Sequence, residues 1–304
     1  MSMNAGDLDR WMMAELAEGE LKLGELVAAD TPADLGEVMR YGVLDGGKRV
    51  RPLLALAAAQ AVGGQRAAAL RAACAVELIH AYSLVHDDLP CMDNDVLRRG
   101  KPTVHVKYGE ARAMLAGDAM QALAFEVLTP APEDADTATM PPALQAYMCR
   151  LLARASGVLG MAGGQAIDLA SVGRPLGEAQ LQDMHRRKTG ALLQAAVMMG
   201  AACGPASPAA LAALSAYGAS IGLAFQVVDD ILDVTQASAT LGKTAGKDAD
   251  NDKPTYVSVL GLAGARERAG LLHERARAAL RGAEFVDDGV WLALLADRIV
   301  DRES

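Results

Sequence analysis

The sequence predicts an all-α protein, and three observations carry that expectation. Alanine, leucine and methionine dominate, while aromatic residues make up only 4% of the 304 positions and β-branched ones are scarce, a composition that favours helix over strand. Apolar residues recur at three- and four-residue steps, as in Leu70, Ala73, Val76, Leu84 and Val85, and again in Leu211, Leu214, Ile221, Ala224, Phe225, Val228, Ile231 and Leu232, which aligns them on helix faces. No alternating strand set, hairpin dipeptide framework or fixed-period repeat is visible.

Breakers divide the chain into these helices. Thr31 to Asp34 separates two N-terminal helices, and Gly63-Gly64 ends one that begins near Pro52. Thr129 to Pro142, with its four prolines, reads as a surface loop, and Gly204 to Pro208 as another. Thr235 to Pro254 is polar and rich in Gly, Lys and Asp, the pattern of a long functional loop. Apolar helices resume on both sides of every break. The expectation is therefore one domain spanning 1–304, with about ten or more helices.

Composition excludes several classes. At 52% hydrophobic the chain is too apolar for disorder. Its four cysteines, Cys74, Cys91, Cys149 and Cys203, form no CxxC pair and read as buried or half-buried thiols in a reducing compartment. The net charge of −9 argues against nucleic-acid or anionic-membrane binding. No uninterrupted apolar run approaches the roughly 18 residues of a membrane span. The acidic N-terminal segment lacks a secretory pattern, and a cytoplasmic location is expected.

Carboxylates carry the chemical signal. Residues 86–95 read HDDLPCMDND and 229–233 read DDILD. A solvated helix end accounts for either cluster alone. Yet Asp229, Asp230 and Asp233 interrupt GLAFQVVDDILDV, an otherwise apolar helix, where like charges repel and lose hydration. A bound cation resolves that conflict, and oxygen-only ligands select a hard ion such as Mg²⁺. Asp87 and Asp93 are six apart, off one another's helix face, but Pro90 breaks the ladder between them and lets the chain re-aim Asp93. Basic groups accompany both clusters: Lys48-Arg49-Val50-Arg51, Arg98-Arg99-Gly100-Lys101, Arg186-Arg187-Lys188, then Lys243, Lys247 and Lys253. Arginine forks suit phosphate oxygens, so acids plus bases point to a Mg²⁺-bridged diphosphate substrate. Gly42, Gly47 and Lys48 match a P-loop spacing, but Arg49 follows where Ser or Thr is needed and the context is helical.

In these motifs the sequence resembles the trans-polyprenyl diphosphate synthases, most closely the bacterial farnesyl diphosphate synthases. GGKRVRP (46–52), ELIHAYSLVHDDLPCMDNDVLRRGKPT (77–103), GGQAIDL (163–169), HRRKTGAL (185–192), GLAFQVVDDILDV (222–234) and LGKTAGKDADNDKPTY (241–256) occur in order, over about residue 36 to the end. The resemblance implies antiparallel helices around a central cavity, usually in a homodimer. It implies head-to-tail condensation of isopentenyl diphosphate with dimethylallyl and geranyl diphosphate, through an allylic cation. It implies three Mg²⁺ ions, with Asp87 and Asp93 on two, Asp229 on a third, and Asp88, Asp230 and Asp233 in support. Arg98, Lys188, Lys243 and Lys253 would grip the allylic diphosphate; Lys48, Arg51, His80 and Arg99 would grip isopentenyl diphosphate; Thr189 and Gln226 would lie near the reacting carbons. Tyr82 and Ser83, just before the first aspartates, would form the floor that sets product length, with Tyr82 pointing to a C15 product. Geranyl and geranylgeranyl synthases stay open, as does a subunit of a heteromeric synthase. Val96 stands where relatives commonly carry a further aspartate, and the chain's Arg302 stands in place of a more basic tail.

Overall fold

A computed structural model describes residues 3–44, 46–174, 176–235 and 254–302. The expected helices form. They are α1 (Ala5–Leu26), α2 (Leu35–Val43), α3 (Val50–Ala61), α4 (Arg66–Asp87), α5 (Val104–Tyr108), α6 (Glu110–Val127), α7 (Pro142–Ser156), α8 (Met161–Ala170), α9 (Glu178–His185), α10 (Ala191–Ala201), α11 (Pro208–Thr235), α12 (Tyr256–Leu280) and α13 (Val290–Val300). The fold is all-α. Among the described residues the only sheet is a two-stranded hairpin, β1 (Leu97–Arg98) with β2 (Lys101–Pro102). The sequence does not predict it because two residues per strand carry no alternation. Its turn is legible in hindsight: Arg99 and Gly100 both take positive φ, 53° and 74°, as a primed hairpin turn requires.

The packing order follows from side-chain size. Helix α6 lies on α4, α4 on α3, α3 on α10, α10 on α11 and α11 on α12. Helices α3 and α4 carry many small buried residues, with Ala55, Ala57, Ala58, Ala68, Ala72 and Ala75 fully buried, and the Ala55 backbone lies where a Cβ on Gly200 of α10 would fall, so axes can come close. Helix α1 docks by a stack of Trp11 on Trp291 of α13, with centroids 5.0 Å apart. The Tyr217 hydroxyl of α11 donates to the Leu292 carbonyl at 2.7 Å and ties α13 to the centre.

Two helices, α4 and α11, are long and apolar enough by length and composition to cross a membrane, contrary to the expectation from uninterrupted runs. Scattered polar residues break a run without lowering the average much. Packing shows their use: 89% of the apolar stretch of α4 and 56% of that of α11 are buried inside the protein. Of the cysteines, Cys74 and Cys203 are buried and Cys149 is half-buried as expected, but Cys91 is exposed, because the turn after α4 carries it out.

The helical ladder departs from α geometry between α9 and α10. Residues Arg186–Gly190 form a π-helical turn there, a form found mostly as short bulges and often at functional sites. Helix α8 approaches this turn backbone to backbone. A Cβ on Gly164 would lie 2.2 Å from the Lys188 nitrogen, so only glycine fits there. We expect Gly164→Ala to lower stability by about 1–3 kcal/mol, read by denaturant unfolding; an unchanged midpoint would show that α8 is free to shift.

Candidate active site

Helix α4 ends at Asp87, and its last turn presents the first acidic cluster. The Asp93 amide returns to the Asp87 carbonyl at 2.8 Å and the Asp95 amide to that of Asp88 at 3.1 Å. The chain thus doubles back after Pro90, as the sequence suggested. Burial pushes the Asp87 carboxyl up to about 6; the Lys188 charge opposes that shift and the Asp93 charge adds to it. Gln165 of α8 donates its amide to Asp87 Oδ1. Asp88 is 2% exposed and receives the Arg98 fork, with Nη2 to Oδ1 at 2.6 Å and Nε to Oδ2 at 2.9 Å. That pair pins the hairpin to α4.

Lys188 extends from the π turn to Asp168 of α8, at 2.5 Å. Burial lowers its pKa, but Asp168, then Asp87 and Asp93, raise it above the ordinary value. The π turn and the end of α4 therefore share one electrostatic site. Asp168 and Gln165 belong to the GGQAIDL motif, yet the sequence alone assigns them no role. Their spacing of three, which puts both on one face of α8, was the available signal.

The second acidic run lies on α11. Asp230 and Asp233 are buried, at 2% and 4% exposure, while Asp229 is half-buried. Arg302 donates from Nη2 to Asp229 Oδ1 at 2.5 Å and to the Phe225 carbonyl at 2.8 Å, with its guanidinium over the Phe225 ring at 4.0 Å. The Thr189 hydroxyl donates to Gln226 Oε1 at 2.8 Å, and Gln226 Nε2 donates to Asp230 Oδ1 at 2.8 Å. His185 stacks on Tyr256, with centroids 5.4 Å apart.

A cationic group adjoins both. Arg49 is buried, taking positive φ before α3, and donates to Glu77 of α4 at 2.7 Å. Arg51 is buried in the first turn of α3, and burial lowers its pKa despite the opposing pull of Glu77 and Asp229. His80 is driven well below its usual value by burial, then by Arg51, Arg99, Arg98 and Arg49. Arg99 points away from Arg98 and donates to the Gly46 carbonyl at 2.6 Å, lying against Gly47. Lys48 stands exposed on the same loop. Arg51, His80 and Arg99 are thus brought into one neighbourhood.

Tyr82 is half-buried on α4, its hydroxyl 3.4 Å from Gln121 Nε2 and its ring edge-on to His86 at 5.7 Å. Ser83 is buried and donates to the His80 carbonyl at 2.8 Å. Val96 is 59% exposed. Lys243, Lys247 and Lys253 lie outside the described residues. Among the described residues, no three His, Cys, Asp or Glu groups converge into a preformed metal cage.

The helical fold and its matches define a trans-prenyl diphosphate synthase, a prenyltransferase. The chain belongs to the polyprenyl synthetase family, whose model matches residues 32–284. It is 50% identical over 270 residues to the farnesyl diphosphate synthase of Escherichia coli, covering 88% of this chain and 89% of that one. It is 46% identical over 285 residues to a chloroplastic heterodimeric geranylgeranyl pyrophosphate synthase large subunit of Arabidopsis thaliana, covering 93% and 76%. Among solved structures, an FPP/GFPP synthase of Zymomonas mobilis is similar, with a TM-score of 0.85, 39% identity, and coverage of 98% of this chain and 100% of that one.

His185 gives a test of these surroundings. It is 5% exposed and neither ring nitrogen has a hydrogen-bond partner. Burial, then the Lys188 charge, lowers its pKa to about 4, against a smaller upward pull from Asp168. An unfolded imidazole titrates near 6.5. Between about 6.5 and 4 the unfolded chain therefore binds a proton that the folded one refuses, so stability is complete above that window and falls as pH drops through it. At about 1.4 kcal/mol per unit the loss is on the order of 3 kcal/mol. We expect His185→Phe to flatten the decline over this range; an unchanged slope would show that His185 charges freely in the folded protein.

Proposed function

We propose that this chain is a farnesyl diphosphate synthase, condensing isopentenyl diphosphate with dimethylallyl and then geranyl diphosphate, as one polyprenyl synthetase domain acting as a cytoplasmic homodimer. One observation carries the reading: two partly buried aspartate runs, at the end of α4 and within α11, each stand beside side chains suited to phosphate.

The donor set fits Mg²⁺. Asp87, Asp93 and Asp229 offer only oxygen, and burial raises the Asp87 pKa, a cost that a bound cation would offset. A hard cation held by one or two carboxylates takes its other ligands from water and phosphate, so the lack of a closed cage is consistent with it. When bound, Mg²⁺ would neutralise charge on the departing diphosphate.

The chain's own residues do the rest. Lys188, Arg98, Lys243 and Lys253 hold the allylic diphosphate; Lys188 and Arg98 stand in place beforehand, which costs no reorganisation as charge builds on the leaving oxygen. Lys48, Arg51, His80 and Arg99 hold isopentenyl diphosphate. Thr189 and Gln226 face the allylic cation with oxygen. The double bond of isopentenyl diphosphate attacks the cation, and the proton then lost passes to the released diphosphate. Tyr82 closes the product cavity at fifteen carbons, with Ser83 beside it. The names of relatives support both C15 and C20 products, and a geranyl or geranylgeranyl product is the second reading. Met114 and Leu115 stand exposed on α6, at 41% and 56%, and suit burial against a second copy.

The test is a product assay with isopentenyl and dimethylallyl diphosphates, with Mg²⁺ and then with EDTA. We expect farnesol after phosphatase treatment and no product with EDTA; geranylgeraniol would overturn the C15 assignment, and no elongation the whole reading. We further expect Tyr82→Ala to shift the main product beyond C15, with unchanged C15 output removing Tyr82 from the floor.

A further inference from the structure

The resemblance gives Asp230 a supporting part at the metal. Its surroundings describe another. The side chain is 2% exposed. Oδ1 accepts from Gln226 Nε2 at 2.8 Å and Oδ2 accepts from the Tyr256 amide at 2.7 Å. Tyr256 is the first residue of α12, so this carboxylate stands at the positive end of a helix, which favours its ionised form. The neighbouring His185 ring stands 3.9 Å from Oδ2, and burial, then the Lys188 charge, disfavours its protonated form.

An ionised carboxylate only accepts hydrogen bonds. Gln226 must therefore turn its amide NH₂ to Asp230, and its carbonyl oxygen faces Thr189. A carbonyl oxygen cannot donate, so the Thr189 hydroxyl commits its single proton there, at 2.8 Å. What Thr189 has left for a reacting cation is a pair of lone pairs. A hydroxyl that turned its proton to a carbocation would repel it; one that turns its lone pairs attracts it. Gln226 alone could not enforce this, since a side-chain amide can flip.

We propose that Asp230 is a positioning residue: it sets the direction of the hydrogen-bond chain through Gln226, so that Thr189 presents lone pairs to the reacting carbons. The proposal rests on the prenyl-transfer reading, because it needs a cationic reacting centre. Asp230 accepts hydrogen bonds from Gln226 and from the Tyr256 amide, so its effect on the rate runs through Thr189. The Tyr256 amide ties the start of α12 to the same carboxylate, so α12 must be docked for the chain to be oriented.

Asp230→Asn keeps the shape but can offer Gln226 a donor, which releases the amide to flip. We expect kcat to fall at least tenfold, with KM for both substrates and the Mg²⁺ concentration for half-maximal rate unchanged within twofold. Calorimetric titration with Mg²⁺ and inorganic diphosphate should give wild-type affinity. Thr189→Val should lose a similar factor and Thr189→Ser should recover most of it. The Asp230→Asn, Thr189→Val double variant should be no slower than the worse single one, since both act through one group. Gln226→Met breaks the chain without touching Asp230 and should match Asp230→Asn, which keeps the test open if that variant misfolds. A raised Mg²⁺ requirement in Asp230→Asn, weaker calorimetric binding, or losses that multiply in the double variant would overturn the proposal. An inactive wild-type protein would overturn the prenyl-transfer reading itself, a distinct result.

Discussion

Burying acids in apolar helices is the constraint on which this structure turns. An isolated carboxylate in such surroundings either protonates or finds positive charge. Here the charge comes from distant parts of the chain: Arg98 to Asp88, Lys188 to Asp168, Arg302 to Asp229 and Arg49 to Glu77. Each pair therefore fixes a segment as well as a charge. The hairpin is held to α4, the π turn to α8, the end of α13 to α11, and the loop before α3 to α4. Breaking such a pair costs more than the pair contributes over an apolar substitute, because the remaining partner is stranded. At Asp87 burial still raises the carboxyl pKa, with the Lys188 charge acting against it.

The second requirement is close backbone approach. The buried alanines of α3 and α4, Gly200 of α10 and Gly164 of α8 let helices meet where larger side chains would hold them apart. The widened turn at 186–190 then delivers Lys188 and Thr189 on consecutive residues to different partners, Asp168 on α8 and Gln226 on α11. A regular helix would place neighbouring side chains about 100° apart; the bulge and its backbone contact with α8 fix where both end.

Much of this was legible in the sequence. The alanine-rich composition and three-four spacing gave the helices, Pro90 gave the reversal after α4, and aspartates inside an apolar run marked α11 as more than packing. The unread parts share a cause. The hairpin has two residues per strand, too few for alternation to show. The π turn has the composition of an ordinary helix, and only its hydrogen-bond register differs. The partners of Asp88, Asp168 and Asp229 are tertiary, ten to seventy-three positions away, and no local pattern records them. Arg302 could be singled out by position, but its contact with Asp229 needed the fold. The histidines show no zinc-binding pattern in the sequence, and His185 reads there as structural; that its ring is buried without a hydrogen-bond partner needs the fold.

The stack of Trp11 on Trp291 has a practical consequence. These are the chain's only two tryptophans, and both report on the junction of α1 with α13 rather than on the clusters at the end of α4. Emission excited selectively at tryptophan therefore follows α1 where it meets α13 and Gln60 of α3. If α1 peels away before the centre opens, the emission change will precede the loss of ellipticity at 222 nm, and a midpoint taken from fluorescence will describe one helix rather than the protein. The two signals recorded side by side would show whether the junction melts with the rest or ahead of it.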